Sequence, residues 1–430
     1  MEALIDRPPG VDEALDLVGR FDNCLVHGFA RLGDAQRRSL EELAATFAGS
    51  PLGTCVAEAV AAVGRSEFVP RSFLILGSAR VALLGAVHDA LLAQARAALG
   101  RQAVAVEERP SLPPGGSSSA MASAQHWLTE LAIAGFRHLE ETAVAPFAAT
   151  LENLQDDPDL TGLAALLTGF HAELLQSLPA ARLPNLPAFR WGDLWSSAIV
   201  RTQNLPAPIG FEEDTGTLIP LGLDVKSHEN FVCILLYGLF DDGEVRTVRV
   251  PFTHYKSGGI AGADIWDLFG ALADPVLKAL EEHKVLRVTN AELRENGDLI
   301  LRSPPKVGGA ADPFARVDRL TALPDPSPLL RHPVHIAEVV HLKSGHGLPI
   351  ADERIPEGSV LTPEAITATT EVLGLLRFDR GGWRLQPLCI RHPILGLVQS
   401  GEECAEARRK QNHHALEILQ ERASRLLRKS

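Results

Sequence analysis

The stretch Arg331 to Gly347, RHPVHIAEVVHLKSGHG, gathers His332, His335, Glu338, His341 and His346. Imidazole and carboxylate groups are common ligands of zinc and other transition metals. The β-branched Val334, Ile336, Val339 and Val340 favour a strand, on which Glu338 points away from the face that carries His335 and His341. Six strand steps then separate those two histidines by roughly 20 Å, so a metal site here needs one of them plus groups from elsewhere. The competing reading is a half-exposed strand with polar side chains. A second ligand pair is His414 and Glu417, which follow His413 and share one helix face at i and i+3. No third ligand lies near them in sequence, and a solvated helix face is the more usual reading of such a pair.

The run LGLDVKSHENFVCILLYGLFDDGEV, Leu221 to Val245, places Asp224 at the end of a first strand beside a hairpin. In outline it resembles the opening of the ribonuclease-H-like nucleases, in which a first-strand acid helps bind magnesium. The resemblance is confined to this run. It implies a metal-dependent enzyme that cleaves phosphodiesters, with Asp224 as a catalytic metal ligand. Asp264 and Asp267, on a predicted helix, are the candidate later acids, whereas the plain reading of Asp224 is a strand-end residue. No G-x-x-x-x-G-K-S/T loop, strand-linked G-x-G-x-x-G or G-x-S-x-G elbow occurs, so no nucleotide cofactor is indicated. Ser303, Ser344 and the cysteines have no spacing that implies a neighbouring base.

Seven positive residues from Arg408 onward, including Arg422, Arg425 and Arg428, give a local footprint for nucleic acid. Against it stand the net charge of −13 and the lack of interleaved aromatics for base stacking. Leu416, Leu419, Ala423 and Leu426 form a narrow apolar stripe on the same predicted helix, 402–430. Such a stripe docks on the parent fold or, with Arg422 and Arg425 beside it, on a protein partner.

These residues need elements to position them. Residues 1–106 read as one helical unit and 121–205 as a second, joined by a Pro/Gly/Ser-rich linker at 107–120, EERPSLPPGGSSSA. A shift of 107 positions lays Gly28-Phe29 on Gly135-Phe136, Leu32 on Leu139 and Pro51 on Pro158. Leu40, Phe47, Val56, Val60 and Val63 then fall on Phe147, Leu154, Leu163, Leu167 and Phe170, which suggests a duplicated unit. Chance agreement between amphipathic hairpins is the alternative. Trp191 and Trp195, one turn apart, serve either as an anchor between the two halves of the chain or as core.

Residues 206–401 read as a mostly antiparallel, β-rich α+β domain. Its expected strands are Thr217–Val225, Phe231–Phe240 and Glu244–Phe252, followed by a helix from Gly262 to Glu282. A type I′ hairpin is expected at Asn296-Gly297 and a further hairpin at Arg380-Gly381-Gly382. With 46% hydrophobic, 22% charged and 5% aromatic residues, the 430-residue chain has the composition of a folded protein with an aliphatic core. No signal segment is read at the N-terminus. The apolar run Leu74 to Leu99 is interrupted by Arg80, His88, Asp89 and Arg96. Five widely spaced cysteines fit a reducing cytoplasm, and the arginine- and alanine-rich usage looks like that of a GC-rich bacterial genome.

The expectation drawn from these features is a cytoplasmic, non-enzymatic scaffold or adaptor subunit that binds protein partners and no membrane. A metal-dependent enzyme using Asp224, His335 or His341, and a nucleic-acid-binding accessory protein, are the alternatives.

Overall fold

A computed structural model describes residues 4–101, 119–157, 160–203, 211–227, 231–256, 259–325, 331, 334–355, 358–359 and 361–409. It shows an all-helical N-terminal half followed by an antiparallel, β-rich half that ends in a helix. Positions 107–118 of the expected linker lie outside the described residues, and the helix that follows begins at Ser119.

The helical half runs through a similar order of elements in each of its two parts. Helices α1 (Val11–His27), α2 (Asp34–Thr46), α3 (Gly53–Gly64) and α4 (Pro70–Ala98) form the first unit, with a 3₁₀ turn, Phe29–Arg31, after α1. In the second, α5 (Ser119–Ala134) leads into the 3₁₀ turn Phe136–His138. Then come α6 (Glu141–Val144), α7 (Ala148–Gln155), α8 (Thr161–Gln176) and α9 (Ala188–Arg201). Gly28 and Gly135 end α1 and α5 with matching dihedrals, φ 88 and ψ 137 against φ 85 and ψ 137, a region open to glycine alone. The two glycines also touch: a Cβ on Gly28 would stand 2.5 Å from the Ala134 carbonyl oxygen, and one on Gly135 2.4 Å from the Gly28 nitrogen.

One hydrophobic core runs through both units, from Leu17 to Ile199. Trp191 and Trp195 sit in it without exposure, so they join the two helical units to each other and do not anchor the helical half to the β-rich half. The Trp195 Nε1 donates to the Leu128 carbonyl at 2.8 Å. Where α4 crosses α9, Gly77 lets Ile199 and Trp195 approach its backbone. Arg80 lies buried at the same crossing, donating to Asp22 of α1 at 2.7 and 2.9 Å and to Asp193 of α9 at 2.6 Å.

Two antiparallel sheets build the second half. The first has the order β3 (Val245–Tyr255), β2 (Phe231–Asp241), β1 (Phe211–Ser227), β4 (Lys284–Arg294), β5 (Leu299–Leu301), and β6 (Lys306–Ala310) also pairs with β4. The second has the order β10 (Gly396–Gln399), β9 (Gly382–His392), β8 (Glu371–Asp379), β7 (Glu338–Lys343). Leu221, Tyr237 and Leu239 of the first sheet meet Val339, Leu373, Leu375 and Leu388 of the second. The second sheet's other face packs on Val87, Leu91, Leu92 and Ala95 of α4. Trp266, α10 (Ala273–Glu281) and Ala405 of a helix at 402–409 cover the first sheet's outer face.

Among the described residues, α4 is long and apolar enough to cross a membrane, and 61% of its most apolar window is buried inside the protein. The helix expected from Gly262 to Glu282 is broken. Gly270, at φ 52 and ψ −129, kinks the 3₁₀ segment Gly262–Leu272 that precedes α10. At Asn296-Gly297 only the glycine takes a positive φ, 80°, because the loop from Arg294 to Leu299 is longer than the two residues a type I′ turn needs. Arg380 and Gly381, at 51° and 76°, make the paired positive-φ turn instead.

Candidate functional site

A groove of about 680 Å³ lies between α5 and the segment from α6 to α7, lined by Ala122, His126, Trp127, Ala143, Phe147 and Thr150 among others. Local sequence creates it. Pro146 cannot continue a helix, so the α6 turn stops, Ala145–Phe147 winds as 3₁₀, and α7 restarts at Ala148. In the first unit the matching helix, α2, runs unbroken and carries Ser39 where the second has Pro146.

The break presents the Phe147 ring to Trp127 of α5. The rings stack 3.8 Å apart and 3° from parallel, and Phe170 meets Trp127 edge-on at 6.1 Å. The indole Nε1 donates to the Ala143 carbonyl at 3.1 Å, which fixes the ring as the groove's floor. His171 stands behind both rings with its Nε2 on the Val144 carbonyl at 3.0 Å, and burial lowers its pKa. The rim is polar: Ser123, Thr150, and the exposed pair His126 and Glu130. Arg20 holds the position of Trp127 in the first unit, and its guanidinium pairs with Glu42 at 2.8 Å and Asp16 at 3.4 Å. The first unit therefore carries an ion pair where the second carries an aromatic groove.

The sequence signal for this groove is composite. Trp127 and Phe147 fall on Arg20 and Leu40 in the 107-residue shift, a polar-to-aromatic difference at one aligned position. A search for chemistry among ionisable residues passes over both rings, and neither stands among the sequence-predicted site residues.

Asp224 does not behave as a metal ligand. It is buried between the sheets, where the Arg377 guanidinium donates to it at 2.6 Å and the Gln386 amide at 3.1 Å. Burial opposes ionisation there, but the charges of Arg377 and Lys226 prevail and leave its pKa below the usual aspartate range. Asp264 and Asp267 do not join it: Asp267 pairs with Arg408 at 2.8 Å on the far side of the first sheet. Among the described residues, no group of three or more His, Cys, Asp or Glu side chains is placed to hold a metal ion.

The histidine cluster is dispersed. The strand expected around it begins only at Glu338. Glu338 is buried toward α4, on Arg101 at 2.6 Å and Arg96 at 3.2 Å, while His341 turns to Glu371 at 2.9 Å and the Phe314 ring. His335 precedes the strand and meets the Lys226 Nζ at 3.2 Å. The His346 ring accepts from the Leu348 backbone. His332 lies outside the described residues, as do His413, His414, Glu417, Leu416, Leu419, Arg422, Arg425 and Leu426. The first turns of that last helix dock on the parent fold, through Ala405, Arg408 and Arg409.

No family model, no curated protein and no solved structure matches the chain.

Proposed function

We propose that the protein is a cytoplasmic, non-enzymatic adaptor subunit of a multiprotein complex, and that its helical half holds an apolar segment of a protein partner in the α5–α7 groove. The observation that carries this reading is the stacked Trp127–Phe147 floor, at a position where the first unit carries the Arg20–Glu42 ion pair instead. Rigid aromatic side chains at the bottom of a concave, polar-rimmed surface are the usual anchors of protein recognition. Residues 119–201 carry nine Asp and Glu against four Arg, so the surround favours a partner segment with basic flanks and disfavours nucleic acid.

The test is selection of a displayed peptide library on the full-length protein, counter-screened on Ala122→Arg, which charges the groove at an exposed position. Glu58→Arg on α3 serves as the control. The adaptor reading expects enriched apolar sequences that bind the wild type and the control and lose about tenfold or more in affinity on Ala122→Arg, roughly 1.4 kcal/mol. Enriched sequences that bind all three proteins equally reject it.

A further inference from the structure

We infer that Lys226 is a reactive amine that captures small aldehydes or ketones as an imine at the end of β1, beside His335. Lys226 stands near the end of β1 with 37% of its side-chain surface exposed. Its Nζ is 3.2 Å from the His335 Nε2 and 3.7 Å from an Asp224 carboxylate oxygen. An ammonium donates and has no lone pair to offer, so the His335 nitrogen must be the acceptor and carry no proton. The Asp224 carboxylate is already taken by Arg377 and Gln386, which leaves Lys226 as a second cation on a neutralised charge.

The surroundings are those of an amine kept ready to lose its proton. Asp224 shares its strand, Cys233 of β2 is its register partner, and Arg377 of β8 and Arg354 of the 3₁₀ turn Asp352–Arg354 face it from the second sheet. Arg354 is itself held by Asp379 at 2.8 and 3.1 Å. Desolvation lowers the Lys226 pKa, and Arg377 and Arg354 add to that against the opposing pull of Asp224 and Cys233. Desolvation, then Lys226 and Arg377, hold the His335 imidazole neutral; the residue as a whole is exposed, while its Nε2 faces the packed cluster. The helical half helps to place it, because the buried His88 of α4 hydrogen-bonds the His335 backbone.

The chemistry balances without a redox partner. The neutral Nζ adds to the carbonyl carbon, the new N–C bond forming as the C=O π bond opens. His335 carries one of the two nitrogen protons to that oxygen, giving a carbinolamine hydroxyl, and then the second, so that the C–O bond breaks, water leaves and the nitrogen lone pair closes the C=N bond. A site of this kind takes compact carbonyl compounds, since the amine is set closely among His335, Asp224 and Arg377.

The test treats the full-length protein with glyoxylate and cyanoborohydride, which reduces any imine to a stable secondary amine, and reads each lysine by peptide mass spectrometry between pH 6 and 9. Lys284 is the matched reference, with 35% exposure and an ordinary ion pair to Glu282. Lys226 is expected to be labelled severalfold faster than Lys284 at pH 7, since an amine whose pKa is lowered is neutral for more of the time. His335→Gln keeps an acceptor but cannot carry the proton, and should cut the Lys226 rate about tenfold while leaving Lys284 unchanged. Equal labelling of the two lysines overturns the proposal. An unchanged Lys226 rate in His335→Gln, with the fold checked by circular dichroism, overturns the part given to His335. These outcomes concern the β-rich half and leave the groove reading to its own test.

Discussion

Asp22→Asn provides the sharpest check on how the helical half is held together. Arg80 is one cation serving two buried carboxylates, Asp22 and Asp193. Burial pushes the Asp22 carboxyl up to about 6 from the ordinary 3.8, outweighing the hydrogen bond and charge of Arg80, with Asp193 adding repulsion. A carboxyl whose folded pKa lies above its unfolded value binds its proton more tightly in the folded state. The resulting stabilisation is full below the unfolded value and is lost as pH rises through the folded one, here the window between 3.8 and about 6. Between pH 5 and pH 8 the wild type should lose about 1.4 kcal/mol from this group alone. Asparagine cannot take the proton, so the stability difference between wild type and Asp22→Asn should shrink by that amount over the same interval. Urea unfolding of both proteins at the two pH values measures it, and groups common to both, including Glu402 with its carboxyl pushed up to about 7, cancel in the difference. A gap that stays constant to within about 0.4 kcal/mol would mean that Asp22 does not titrate in this window, and the account of a carboxyl raised by burial would fail.

Gly28→Ala should lower stability by more than the roughly 1–3 kcal/mol of dihedral strain alone, because its Cβ also meets the Ala134 carbonyl; an unchanged melting temperature would sink the claim that the two units touch at Gly28 and Gly135. Glu338→Leu should cost about 1–3 kcal/mol, since Arg101 and Arg96 lose that carboxylate while Arg96 keeps Asp325 at 2.6 Å, and limited proteolysis should then cut between the halves at lower protease concentration than in the wild type. Burial first, then nearby Glu403 and Glu281, raises the Glu402 carboxyl to about 7 against the pull of the Gln399 amide and His283. Its stabilisation is therefore present below about pH 4.5 and lost as pH rises through 7, and a Glu402→Gln variant should flatten that fall in pH-dependent melting.

Much of the architecture was legible because it rests on local rules. Period-3.6 patterning gave the helices, and alternating strands with tight turns gave the antiparallel sheets, with Phe231–Asp241 almost at its expected bounds. The glycines at 28 and 135 announced themselves through the shift of 107, since a positive φ at a helix end needs glycine. What failed was tertiary. Gly270 broke a helix whose apolar period was continuous, because Trp266 turns in to pack under Phe252 and Phe269. The sites were harder still. Lys226 and His335 are 109 residues apart and meet only because two sheets stack, and Trp127 meets Phe147 only because Pro146 interrupts one copy of a repeated helix.

The chain's use of arginine explains why one lysine stands out. Of its 41 basic side chains only eight are lysine. Arginines close each internal junction: Arg80 between the helical units, Arg96 and Arg101 between α4 and the second sheet, and Arg377 between the sheets. A guanidinium suits such joints because it stays charged when buried and offers several fixed donors to a carboxylate. Lysine suits them poorly, because burial strips its proton. A lysine set among Arg377, Arg354 and a carboxylate already satisfied is therefore the wrong residue for a clamp, and the feature that disqualifies it as a clamp, an ammonium that readily becomes an amine, is the one that carbonyl chemistry requires.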